Sequence, residues 1–230
     1  MTTAAAALPL LGLRITAGPV ELRGVTDDLL GPLARLAIDG IHDADFMPFG
    51  MPWSLAPAPE QSRNLAQYHW RKRAAFSPGT WTANFAVFYD GELVGSQGIS
   101  TSDYLITRTG ETGSWLGRRF QGSGIGTAMR QVMCAFAFDH LDAKAITSGA
   151  FEDNGPSAAV SRKVGYAANG TKTMNRMGKP VTLLRFLLEP ENLVRYPHPL
   201  TVTGLSEFRE SIGLDTPADA EQLKEDQLRT

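Results

Sequence analysis

The run Gln121-Gly122-Ser123-Gly124-Ile125 has the residue types of an anion cradle. Glycines let backbone N–H groups turn toward one point without a Cβ in the way. The stretch that follows has helical apolar spacing. Its first turn, Gly126 and Thr127 included, therefore adds unpaired N–H groups and the positive end of a helix dipole. A phosphate-bearing ligand is what such a cradle holds. No Lys-Ser/Thr pair closes the run, which disfavours a loop that grips nucleotide and magnesium. A dinucleotide-binding spacing also fails, because the third glycine, Gly126, comes too early and no acidic residue stands about 20 residues on at the end of a second strand. By itself the run leaves open a plain flexible turn before a helix.

The elements that must position this cradle follow from the pattern on either side. A strand from Glu111 to Leu116 and Gly117 precede it, with Glu111, Gly113 and Trp115 on one face and Thr112, Ser114 and Leu116 on the other. After it, Ile125, Ala128, Met129, Val132, Met133 and Phe136 form a helical stripe expected to pack as core, with Cys134 off the stripe. Lys144 to Phe151 reads as the next strand, and Glu152 to Ser157 leads into a helix that ends at Gly165. Upstream, Gly12 to Thr16 and Val20 to Arg23 are short strands, and Thr26 is the expected N-cap of a helix reaching Gly40, with Pro32 expected in its first turn. A second helix is expected from Glu60 to Phe76. Trp81 to Tyr89 alternates as a strand, and Asp90-Gly91 turns it into a partner from Glu92 to Ile99. Ser100 to Gly110 reads as irregular, and after Thr171 to Met177 the stretch Val181 to Leu188 reads as the last strand.

Between the first two helices, His42-Asp43 to Trp53 is too rich in proline for a helix and carries Met47, Phe49, Met51 and Trp53. Leaving each such group in water forgoes roughly 1.5 to 3 kcal/mol. The loop either folds back onto the core or walls a binding site, where His42, Asp43 and Asp45 could hold a cationic or polar group.

At 230 residues and 43% hydrophobic the chain can bury one sizeable core. The formal net charge of -2 argues against a nucleic-acid partner. One cysteine, Cys134, fits a reducing compartment. No apolar run has the length of a membrane span, and Met1 to Leu13 lacks the charged start of a secretory signal, so the expected location is the cytoplasm. Residues 1–190 are expected to form the main domain. Residues 191–230 form an extension whose first part packs on that domain or on a neighbouring subunit, as in a homodimer, and whose end from about Pro217 is a solvated helix or loose tail.

Gln121-x-x-Gly124-x-Gly126 after a strand resembles the acyl-CoA loop of the GCN5-related N-acetyltransferases, and more closely that of the ribosomal-protein N-terminal acetyltransferase (RimJ/RimL) type. Two further runs resemble the same family: Glu111-x-Gly113-x-Trp115-Leu116, and Asn154-x-x-Ser157-x-x-Val160 ending in Lys163-Val164-Gly165-Tyr166. Val164 and Tyr166 stand where the family has Leu and Phe. The resemblance covers roughly Leu13 to Leu188. It implies an α/β (α+β) fold whose mixed central sheet splays two parallel strands at the acyl-CoA site, with flanking helices.

The resemblance also implies an acyl-CoA-dependent N-acyltransferase without a metal, working by direct attack of a primary amine in a ternary complex. The donor is acetyl-CoA or, as in a branch with a similar His42 to Trp53 stretch, succinyl-CoA. The acceptor is a small-molecule amine, a protein N-terminus or a lysine. Glu111 becomes the candidate general base, or else a rim carboxylate in a surface ion pair. Ser157 is the candidate proton donor to the thiolate. Cofactor contacts are expected from Leu116, Gly117, Arg119, Gln121, Gly122, Ser123, Gly124, Ile125, Gly126, Thr127, Asn154 and Lys163. For Asn154 and Ser157, helix-start chemistry would favour the same residue types. The acceptor wall is expected to be His42, Met47, Phe49, Trp53 and Trp115. The competing reading from another class is an idle acyl-CoA-binding sensor or scaffold module.

Overall fold

The structure is a computed structural model that describes residues 3–215. Its strands are β1 Arg14–Ala17, β2 Val20–Gly24, β3 Thr82–Tyr89, β4 Glu92–Thr101, β5 Thr109–Leu116, β6 Ala145–Phe151, β7 Ala167–Arg176, β8 Lys179–Leu188 and β9 Thr201–Thr203. The helices are α1 Thr3–Ala7, α2 Asp27–Ile38, α3 Ala58–Ala74, α4 Tyr104–Thr107, α5 Ile125–His140, α6 Gly155–Val164 and α7 Leu205–Ser211. The strands form one sheet in the order β7-β8-β6-β5-β4-β3-β2-β1-β9. Among the described residues, only β5 and β6 pair in parallel. The mixed α/β architecture expected from the sequence is the one observed.

Helices cover both faces of the sheet, and this changes how its strands read. Ala83, Phe85 and Val87 of β3 belong to the larger core, together with the α5 residues. Ala86 and Phe88 point the other way and are also buried, against Leu30 and Leu33 of α2 and Leu65 of α3. Asp90 and Gly91 take φ of 50° and 81° in the turn from β3 to β4. That left-handed pair suits the twist of a hairpin.

Several expectations are corrected. Pro32 lies inside α2 rather than in its first turn, where its missing N–H leaves the Asp28 carbonyl without the usual i−4 donor. Thr26 occupies the N-cap position but makes no side-chain capping bond. The segment Ser100 to Gly110 is not wholly irregular. It contains α4, whose Tyr104 is buried and donates its hydroxyl to the Leu141 carbonyl at 2.9 Å. Cys134 is not off the core side of α5 but fully buried, because α5 is packed on its flanks as well as on the sheet.

The strand β8 is not the last. After it, β9 pairs with β1 through Arg14↔Thr203 to Thr16↔Thr201, and Phe208 of α7 is buried against Phe76 and Trp81. The expected tail from Pro217 lies outside the described residues.

Candidate functional site

The parallel pairing of β5 with β6 runs from Thr109↔Ala145 to Thr112↔Ser148 and then stops. Beyond it β5 stays paired with β4 as far as Leu116, and β6 stays paired with β8 as far as Phe151. Each strand follows its outer neighbour, so strand twist pulls the two apart. A cleft of about 1130 Å³ opens at the gap. Gly113 leaves the Glu111 and Trp115 face of that cleft open, since a Cβ there would stand with nothing within 4 Å.

The glycine run sits at the cleft's upper end. Gly122 and Gly124 have φ of 76° and 89°, and a Cβ on either would enter open space. The N–H groups of Thr127 and Ala128 both donate to the Gly124 carbonyl, at 3.0 and 3.1 Å. The amides ahead of them have no intrahelical acceptor, and Gly122, Gly124, Gly126 and Thr127 line the cleft. Neighbouring residues expected to bind cofactor have structural partners of their own, and of these Gln121 also lines the cleft. Gln121 braces the loop, its Nε2 donating to the carbonyls of Ile41 and Leu116 at 2.9 and 3.0 Å. Ser123 donates to Phe120 O at 2.7 Å. Ile125 is a buried anchor. Gly117 lets the chain pass Leu36, whose Cδ1 lies 2.6 Å from where a Cβ would stand.

Arg119 is directed away from the cleft, paired with Glu92 at 2.7 Å and lying over the Phe120 ring. Arg118 lines the cleft in its place and pairs with Asp43.

On the opposite wall, Asn154 Oδ1 accepts the Ser157 N–H at 3.2 Å and so caps α6. Asn154, Ser157 and Lys163 all line the cleft together with Leu116. Helix-start chemistry and a place in the cleft thus coincide in Asn154.

The loop from Ile41 to Trp53 forms the third wall. His42, Phe49, Trp53 and Trp115 make a chain of rings, with centroids 5.9, 5.3 and 6.1 Å apart in turn. Phe49, His42 and Trp115 face the cleft, while Trp53 supports Trp115 from behind. Both His42 nitrogens are engaged inside the loop, with Asp43 O and Ser54 Oγ, each at 2.7 Å. Met47 is buried, and its carbonyl accepts from Arg176 Nη1 at 2.9 Å. Arg176 also forks onto Asp153, at 3.0 and 2.5 Å. Met51 is 74% exposed. The loop therefore both folds back onto the core and walls the cleft.

Glu111 lines the cleft on the Gly113 and Trp115 face and is exposed. The burial expected of a base is absent. The surface ion pair is absent too, for Glu111 has no salt-bridge partner among the described residues.

Sequence reasoning missed the polar floor beneath the gap and the wall supplied by β7 and β8. Arg130 of α5 is buried there against Gln97, Ser114 and Ser148. Beside it, Tyr166 meets Thr112 Oγ1 at 3.0 Å and Cys134 Sγ at 3.2 Å. Burial pushes the Cys134 thiol up to about 11, which removes it as a nucleophile at neutral pH. Lys172, Met174 and Arg185 reach the cleft from β7 and β8. Their alternation signals a strand face but not what that face meets. Among the described residues no cluster of three His, Cys, Asp or Glu side chains could hold a metal, and no helix is long and apolar enough to cross a membrane.

A nine-stranded sheet parted between its two parallel strands, with a glycine cradle at the mouth of the gap, defines the class, and the chain belongs to the acetyltransferase (GNAT) domain family, which it matches over residues 20–167. Among curated proteins it is 30% identical over 101 residues to "Putative ribosomal N-acetyltransferase YdaF" of Bacillus subtilis, a match covering 44% of this chain. The chain spans about half, 53%, of that relative's length. Among solved structures it is similar to Mycobacterium smegmatis RimJ in complex with CoA-disulfide, with TM-score 0.63 and 24% identity over 80% of this chain and 88% of that one. It is likewise similar to RimL, a ribosomal L7/L12 alpha-N-protein acetyltransferase in complex with coenzyme A, with TM-score 0.62 and 17% identity over 74% and 94% of the two chains. At these identities the likeness concerns the fold.

Proposed function

We propose that the protein is a cytoplasmic N-acyltransferase that moves an acetyl or succinyl group from coenzyme A to a primary amine. The observation that carries this reading is the continuity of one cleft, from the open glycine cradle at the start of α5 into the gap between β5 and β6. A cradle of amides at a helix start suits a pyrophosphate. The gap suits an extended pantetheine arm, which could pair with β5 groups that β6 no longer reaches. Lys163 and Arg118 would supply positive charge near the phosphates.

At the gap the acceptor amine attacks the thioester carbonyl directly. The backbone N–H at Leu116 stabilises the developing oxyanion, because a donor fixed beforehand does so better than reorganising water. Glu111 takes the ammonium proton, directly or through one water, and its exposure makes the water route the more natural one. Ser157 returns a proton to the departing thiolate. Asn154 holds the pantetheine amide through its nitrogen, its oxygen being engaged as a cap. The acceptor enters between the aromatic loop and Trp115. The likeness to "Putative ribosomal N-acetyltransferase YdaF" favours a protein amine as that acceptor.

The exposure of Glu111 also favours a second reading, an acyl-CoA-binding module that does not turn over. Calorimetry with acetyl-CoA, succinyl-CoA and free CoA tests the site. Binding near the micromolar range, about -8 kcal/mol, is expected, and absence of binding by all of them removes both readings. Thiol release in the presence of amines and N-terminal peptides then separates them, since only the enzyme liberates CoA in an acceptor-dependent way.

A further inference from the structure

Arg130 is 4% exposed and lines the cleft from below, on the α5 side of the sheet. Its Nη2 donates to Ser114 Oγ on β5 at 2.7 Å, its Nη1 to Ser148 Oγ on β6 at 2.9 Å, and its Nε to Gln97 Oε1 on β4 at 3.3 Å. The guanidinium therefore spans the two strands where they part. All three partners are neutral, and among the described residues no carboxylate pairs with it.

A buried charge is ordinarily matched by an opposite one, because desolvation without a counter-charge is costly. A guanidinium carries five N–H donors, so donors remain beyond the three that are engaged. Gln97 is itself fixed, its Nε2 donating to Gly98 O and Gly113 O at 3.0 and 3.1 Å, so its oxygen stays turned to Arg130. The surroundings are polar as well, with Thr112, Tyr166 and Cys134 hydrogen-bonded beside it. An acetyl methyl would gain nothing from such a floor. A carboxylate would gain a charge-assisted, forked partner.

We infer that Arg130 binds a carboxylate at the far end of the acyl group, so that the preferred donor is the coenzyme A thioester of a dicarboxylic acid. The inference rests on the reading that acyl-CoA occupies the gap. An acceptor carboxylate is the other source of the same chemistry, but the acceptor comes over the Glu111, Gly113 and Trp115 face. Ser114, which holds Arg130, points to the opposite face of β5.

Calorimetry with succinyl-CoA, butyryl-CoA, acetyl-CoA and free CoA, on the full chain and on Arg130→Gln, tests it. Butyryl-CoA matches the succinyl chain length without the charge. The wild type is expected to bind succinyl-CoA about tenfold or more tighter than butyryl-CoA. In Arg130→Gln that preference collapses while free CoA binds as before. Equal binding of the two thioesters by the wild type, or a preference that survives in Arg130→Gln, overturns the inference. So does a wild-type requirement for a carboxylate on the acceptor with none on the donor. If Arg130→Gln does not fold, Arg130→Lys replaces it. Lysine keeps the charge without the planar fork, and the succinyl preference must fall severalfold for the inference to stand. Failure of free CoA to bind the wild type brings down the functional reading as a whole. CoA binding without acyl preference brings down this inference alone.

Discussion

The two sides of the cleft are built in different ways. The donor side is laid down mainly by one continuous stretch, Gly113 to Arg130, in which a strand end, two glycines at positive φ and a helix start follow one another, joined by Asn154, Ser157 and Lys163 from α6 and its cap. The acceptor side is assembled from a loop near residue 47, a β5 face, Asp153 and the β7 and β8 strands, and one of its ties, Arg176 to Met47, joins residues 129 apart in sequence. A site made from consecutive residues depends on local backbone geometry and tolerates little change there. A site made from distant pieces depends on packing and on polar ties, and its losses are graded.

Changes at single residues should bring out that contrast. The largest effect is expected from Gly124→Arg, which puts a side chain into the open cradle at φ 89°. CoA affinity should fall at least about a hundredfold, roughly 3 kcal/mol, with the circular dichroism spectrum unchanged. CoA binding that persists would mean the glycine run is only a turn.

Acid should act on the fold as a whole, through a buried histidine that lies outside the cleft. His69 on α3 is buried, and burial, helped by the nearby Arg73 charge, pulls its pKa down to about 4 from the ordinary 6.5. Above pH 6.5 both folded and unfolded chains hold it neutral, and stability is full. As pH falls from 6.5 toward 4 the unfolded chain takes up the proton first, so stability falls by up to ~3 kcal/mol. Denaturant midpoints measured across that window should drop, and His69→Gln should flatten the drop.

Next come the two cleft residues proposed to act on the reacting atoms. Glu111→Gln and Ser157→Ala should each lower turnover by about tenfold to a hundredfold with CoA affinity intact. Unchanged turnover in both would remove their roles without touching the fold. The smallest effect is expected from Arg176→Ala, which frees the Met47 carbonyl and Asp153. The acceptor KM should rise by several-fold, about 1 kcal/mol, while the CoA dissociation constant stays put. A matching loss of CoA affinity would show that the two sides are not separable.

Much of this was open to reading before any coordinates. The glycine run, the helix after it, the Asp90-Gly91 hairpin and the α/β alternation all rest on short-range rules: backbone freedom at glycine, apolar periodicity, and capping by Asn154. These act between residues a few positions apart and survive in any fold that contains them. Tertiary structure decided the rest. It turned Arg119 out to Glu92 and brought Arg118 in, because loop geometry selects which of two adjacent cations faces the cleft. It buried Cys134, since packing on the flanks of α5 cannot be read from one stripe. It set β9 against β1, a pairing that spans almost the whole described chain. Above all it placed Arg130 under the parted strands, where three separate strands meet one guanidinium. Hydrophobic periodicity marks which face of an element turns inward, but only the assembled sheet determines what that face meets.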